Sequence, residues 1–150
     1  MQQLRAYPVP GLNRNHLLKT ESVIINTDGA SRGNPGPAAI GVTIRDESNK
    51  QLASISRRIG RTTNNQAEYQ AIIAALEQAI KLGASRVEIR SDSELVVKQV
   101  NGQYRVKNAS LKPLYQQVMQ LRGKLAGFSI VHVNREQNKE ADRLANMALK

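Results

Sequence analysis

Val23-Ile24-Ile25-Asn26-Thr27-Asp28 is a β-branched run that turns polar only at its end. A strand buried on both faces reads this way, because alternation is lost when neither side meets water. The next nine residues, Gly29-Ala30-Ser31-Arg32-Gly33-Asn34-Pro35-Gly36-Pro37, are turn chemistry. Residues 38–45 and 51–58 read as two further strands joined by Asp46-Glu47-Ser48-Asn49-Lys50. Links this short predict an antiparallel meander.

Beyond residue 64 the period changes. Ile72, Ala75, Leu76, Ala79 and Ile80 form a helical stripe over residues 65–82, with Thr63 or Asn64 as its cap and Gly83 as its stop. Residues 86–91 read as a strand, and residues 93–100 as a helix in which Ser91 and Glu94 have capping-box spacing. A helix over 111–125, a strand over 128–133 and a helix over 139–149 capped by Asn138 complete the chain. The order βββαβααβα predicts an α/β fold with a mixed five-stranded sheet: an antiparallel meander plus two parallel strands added through helical crossovers, flanked by helices.

The 150 residues suit one domain, and 40% hydrophobic with 23% charged residues is ordinary globular composition. With no Trp and one Phe the core must be aliphatic. Residues 1–20 carry two prolines, three cations and no acid, and read as an N-terminal extension to a domain spanning 21–150. That stretch has no apolar core of the secretory kind, no run approaches membrane-spanning length, and Cys is absent. These features lead us to expect a cytoplasmic monomer with no membrane role and no obligate protein partner. A net charge of +10 points to a polyanionic partner, most commonly nucleic acid.

Four acids stand where acid is unexpected. Asp28 ends the first strand, and Asp92 ends the fourth, just at the start of a helix. Glu68 lies four residues before Ile72, on the stripe that faces the sheet, and Asp142 begins the last helix beside Ala141, Leu144 and Ala145. Each has a bland explanation as a turn residue or a favourable charge near a helix start. Together they fit a shared site at strand ends, where clustered carboxylates call for a hard cation such as Mg²⁺ or Mn²⁺. A pair of such ions can clamp the attacking water and the leaving oxygen of a phosphodiester. With no Cys and two His, zinc is a poor alternative.

Over residues 22–149 the chain resembles type 1 ribonuclease H. The resemblance is carried by Thr27-Asp28-Gly29 with Gly33-Asn34-Pro35-Gly36-Pro37, by Thr62-Thr63-Asn64-Asn65-Gln66-Ala67-Glu68, by Ser91-Asp92-Ser93, and by Asn138 to Asp142 with Leu144-Ala145. It implies that Asp28, Glu68, Asp92 and Asp142 are the catalytic, metal-binding carboxylates, holding two Mg²⁺ (or Mn²⁺) ions with substrate bound. The implied reaction is hydrolysis of the RNA strand of RNA–DNA hybrids, leaving 5′-phosphate and 3′-hydroxyl ends. The resemblance also implies that Asn34, Asn64 and Asn65 lie near the hybrid's minor groove, and that Thr63 with Asn108 forms a pocket for a DNA phosphate. Holliday-junction resolvases and integrase catalytic domains share the acid layout loosely but lack the Thr62–Glu68 segment. A module that binds hybrids without cutting would be expected to have lost an acid, and all four are present. Where some members of the family carry a larger basic helix and loop, only Arg105 and Lys107 stand here. His132 precedes Asp142 at a spacing that suits a catalytic histidine. Alternation, however, pairs it with Ile130 on one sheet face, where it reads as structural.

Overall fold

The computed structural model describes residues 21–150, so the expected extension over 1–20 lies outside the described residues. Strands β1 (Ser22–Ser31), β2 (Gly36–Asp46) and β3 (Gln51–Thr62) form the meander. Helix α1 (Asn64–Lys81) follows, then β4 (Arg86–Ser91), α2 (Glu94–Val100), α3 (Lys112–Arg122), β5 (Gly127–His132), a 3₁₀ turn (Arg135–Asn138) and α4 (Lys139–Ala148). The sheet order is β3-β2-β1-β4-β5. β1–β2 and β2–β3 pair antiparallel, while β1–β4 and β4–β5 pair parallel. This is the mixed sheet expected from the sequence. Among the described residues no helix is long and apolar enough to cross a membrane.

β1 is the central strand, and its alternation divides the molecule. Val23 and Ile25 join the main core with Val42 and Ile44 of β2 and with Tyr69, Ile72 and Leu76 of α1. Asn26 and Asp28 point to the opposite face, where α4 lies over β1 and β2. Register fixes the rest: Asp28 stands opposite Gly41 on β2. A Cβ on Gly41 would run into the backbone of Ala141 and Ala145, so its hydrogen lets α4 lie directly on the strand. Gly29 does the same on the other face, where a Cβ would collide with Ala67 and the backbone nitrogen of Glu68. Two glycines one strand apart therefore bring α1 and α4 into backbone contact with opposite faces of the sheet at the same level.

Three local expectations are corrected. β1 and β2 run further into the glycine-rich segment than its composition suggests, leaving only residues 32–35 as the turn. Gly29-Ala30-Ser31 stays in the ladder because its pairing with Ile40, Ala39 and Ala38 uses backbone groups alone. The cap of α2 is Ser93, whose hydroxyl accepts from Val96 N–H, while the Ser91 hydroxyl accepts from Ser93 N–H. Asn138 makes no side-chain cap for α4. The chain enters that helix through a 3₁₀ turn with its own capping box, Asn134 with Gln137, which frees the Asn138 side chain for another use.

Candidate active site

Asp28 arrives from the sheet, Glu68 from α1 on one face, Asp142 from α4 on the other, and Asp92 from the link between β4 and α2. β1 and β4 are parallel neighbours with Thr27 opposite Ser91, so Asp28 and Asp92 leave the same end of the sheet side by side. Carboxylate oxygens of Asp28, Glu68 and Asp92 all lie within 4.8 Å of one another. Asp142 lines the same open pocket and completes the set of four.

The electrostatics of the cluster are unfavourable as it stands. Asp28 and Glu68 are only 6% and 4% exposed. Burial, then the charge of Asp92, then a hydrogen bond to Asp142 and its charge, push the Asp28 carboxyl up to about 8. Burial first, and then Asp28 and Asp92, hold Glu68 well above the usual carboxylate range. The Gly29 N–H donates to Glu68 Oε1 at 3.0 Å and relieves Glu68 in part. Among the described residues none of the four acids forms an ion pair; the pairs present are Arg90–Glu88, Lys98–Glu94 and Arg143–Glu140. Like charges held in a low-dielectric pocket without a cationic partner fit a divalent cation. An all-oxygen donor set suits a hard ion.

A family model described as reverse transcriptase-like matches residues 26–148. Ribonuclease HI of Halobacterium salinarum is 46% identical over 122 residues, covering 81% of this chain and 61% of the relative. The crystal structure of RNase H1 from that archaeon superposes with a TM-score of 0.84 at 44% identity, covering 85% of this chain and 97% of that one. The chain belongs to the type 1 ribonuclease H family. A ribonuclease H1 isolated from compost and crystallised with an RNA/DNA hybrid is also similar, at 45% identity and a TM-score of 0.80 over 84% of this chain and 95% of that one. A bifunctional protein of Mycobacterium tuberculosis is 44% identical over 128 residues, 85% of this chain but 35% of its own length. The chain thus spans only about a third of that relative.

Around the four carboxylates of this ribonuclease H-family chain the remaining expected residues separate. Asn64 lines the site pocket, and its backbone N–H donates to Asn34 Oδ1 at 3.0 Å. That bond ties the turn after β1 to the start of α1. Thr63 caps α1 in a capping box with Gln66, and Asn65 sits half-buried in the first turn. Asn108 lies on the loop before α3, where its carboxamide oxygen accepts from Ser110 and Leu111 N–H, and it is not among the residues lining the carboxylate pocket.

Two cations missed in the sequence, Arg135 and Lys139, line the pocket with Asn146. The positive charge of Arg135 opposes the upward push on both Asp28 and Glu68. Their signal was available: residues 135, 139, 142 and 146 recur at helical spacing, putting cations on the face that carries Asp142. Asn146 Nδ2 donates to Asp142 Oδ1 at 3.1 Å, one turn along.

His132 lies in the strand, as expected, but at its exposed end. It ends β5 and is exposed, whereas Ile130 is 3% exposed and belongs to the core. Alternation does not bury His132, which is the last residue of that edge strand. Its charge is felt by Glu94, whose carboxyl is held low first by Lys98 and last by His132, and it does not line the carboxylate pocket. We expect His132→Ala to lower kcat by less than about tenfold, below the roughly 10²–10⁴-fold usual for a general acid or base. A hundredfold loss with an unchanged fold would make it a catalytic group.

Proposed function

We propose that this chain is an endoribonuclease that hydrolyses the RNA strand of RNA–DNA hybrids, giving 5′-phosphate and 3′-hydroxyl ends. The observation that carries this reading is the convergence of three acid side chains within 4.8 Å, two of them buried and pushed towards neutrality, with no cation paired to them among the described residues. Asp28, Glu68, Asp92 and Asp142 would hold Mg²⁺, or Mn²⁺ in its place, as two ions once substrate is bound. Bound there, the ions supply an acidified water as nucleophile and neutralise charge on the phosphodiester.

The chain's own groups do the rest. Asp28 and Glu68, buried and held in place by the fold, would ionise as the cation binds and offer it oxygen ligands that need no reorganisation. The Gly29 N–H holds Glu68 in place, and Asn146 holds Asp142. Arg135 and Lys139 place positive charge at the pocket edge, where an incoming phosphate backbone would meet it. Asn34 on the turn, with Asn64 and Asn65 at the start of α1, would face a minor groove, whose 2′-hydroxyls distinguish RNA from DNA. Thr63 and Asn108 would take a phosphate of the DNA strand. The likeness to the compost enzyme crystallised with a hybrid supports this substrate class. We propose further that the chain works as a cytoplasmic monomer without an obligate protein partner.

The test is a panel of end-labelled duplexes of one sequence: RNA–DNA, RNA–RNA and DNA–DNA, each with and without Mg²⁺. Internal cuts confined to the RNA of the hybrid, and only with Mg²⁺, are expected. Equal cutting of all three duplexes would refute the substrate, and tight binding without cutting would make the chain a hybrid-binding module.

A further inference from the structure

Asn138 is 1% exposed, yet it caps nothing. Its side chain turns back onto β1. Asn138 Nδ2 donates to the Thr27 carbonyl at 2.9 Å, and its Oδ1 accepts from Asn26 Nδ2, also at 2.9 Å. Asn26 Oδ1 in turn accepts from Arg45 Nη2 at 3.1 Å, and Arg45 Nη1 donates to Asn49 Oδ1 at 2.6 Å.

The direction of this chain of bonds follows from its first member. A guanidinium has donors only, so Arg45 must meet the oxygen of Asn26. That turns the Asn26 amide nitrogen towards Asn138, which must answer with its oxygen and is left with a donor. The donor finds the carbonyl of Thr27, which cannot itself donate. Neither Asn26 nor Asn138 can be flipped without setting two like groups against each other at a buried contact.

The two ends of the relay matter. Thr27 immediately precedes Asp28, and Asn138 immediately precedes α4, whose first turn carries Asp142. Gly41 allows α4 to approach the strand but sets no position along it, since a hydrogen offers no hold. The buried amide pair supplies that hold. We propose that Arg45, Asn26 and Asn138 are positioning residues whose directed hydrogen bonds fix where Asp142 stands relative to Asp28, and so set the metal affinity of the carboxylate cluster. This rests on reading that cluster as a metal centre.

The experiment compares the parent protein with Asn138→Leu, Arg45→Met and Arg45→Lys. Two readouts are taken: the Mg²⁺ concentration giving half the maximal rise in melting temperature without nucleic acid, and kcat and KM on a hybrid. Partners that orient metal ligands typically contribute about 10–100-fold. Asn138→Leu should therefore raise the half-maximal Mg²⁺ concentration and lower kcat by about that factor, with KM unchanged. Arg45→Met should move both in the same direction, because it removes the donor that sets the relay's polarity while keeping the stem. Arg45→Lys, still a pure donor, should restore both towards the parent. A role in folding alone would lower every melting temperature and leave the Mg²⁺ midpoint in place, and that result overturns the proposal. If Asn138→Leu does not fold, the Arg45 pair decides: Met behaving as Lys does refutes the relay. A parent protein that Mg²⁺ does not stabilise and that cleaves nothing overturns the metal centre, and the relay with it. A parent stabilised by Mg²⁺ beside variants stabilised at the same concentration overturns the relay alone.

Discussion

Asp28→Asn is expected to reduce kcat on an RNA–DNA hybrid by a factor on the order of 10³ or more, while raising the melting temperature of the metal-free protein. The two effects have one cause. Asp28 sits in a buried pocket with Asp92 and Asp142 against it, and its carboxyl is raised from 3.8 to about 8. Its pKa in the fold lies above its value in the unfolded chain, so folding favours the neutral form. The stability linked to this group is complete below about pH 3.8 and is lost progressively as pH rises through about 8. Asparagine has the same shape and never ionises, so it escapes that loss. The gain in melting temperature should be small near pH 5 and largest near pH 9, measured in chelator with parent and mutant side by side. Added Mg²⁺ should narrow the difference by stabilising only the parent. A mutant that melts lower at every pH and still cuts would show that Asp28 is a structural residue.

Gly29→Ala is the second large effect, and it acts through the backbone. A Cβ there would lie inside the contact with Ala67 and with the nitrogen of Glu68. Backbone cannot swing aside as a side chain does, so α1 must be displaced from the strand. Overpacking of a well-filled interior costs about 3 kcal/mol at the upper end of its usual range. Displacement also breaks the bond from Gly29 N–H to Glu68 Oε1, about 0.5–1.5 kcal/mol for an ordinary intramolecular hydrogen bond. Urea unfolding should show a lower midpoint, and hybrid cleavage should fall well below what the remaining folded fraction allows. Gly123→Ala is the matched control. Gly123 has φ −63 at the end of α3, and a Cβ there would meet nothing nearer than 3.4 Å. It should keep both stability and activity. Equal behaviour of the two variants would mean that the close approach at Gly29 does not matter.

The sheet was legible because β-branched runs and short polar links specify strands and their neighbours locally. Val23 to Thr27 reads as a central strand, and it is one. The four acids could also be found, since a carboxylate on an apolar stripe, as at Glu68, violates the pattern around it. What sequence reading missed depends on tertiary geometry. The extension of β1 through Gly29-Ala30-Ser31 rests on backbone pairing that composition does not report. Asn138 has the identity and place of a helix cap, and only its distance to Asn26 and Thr27 shows its use. His132 follows strand alternation on paper, but alternation buries a side chain only where something packs over it. Gly41 carries no local signal, because its role is set by a helix one hundred residues later in the chain.

The central claim is that four carboxylates activate water for phosphodiester hydrolysis with a divalent cation. The most direct test is the chemistry of the cut ends. Products from a hybrid with uniformly labelled RNA should carry 5′-phosphate and 3′-hydroxyl groups, and they should appear with Mg²⁺ and vanish in excess EDTA. Products ending in 2′,3′-cyclic phosphate, or cleavage that persists in EDTA, would contradict the account.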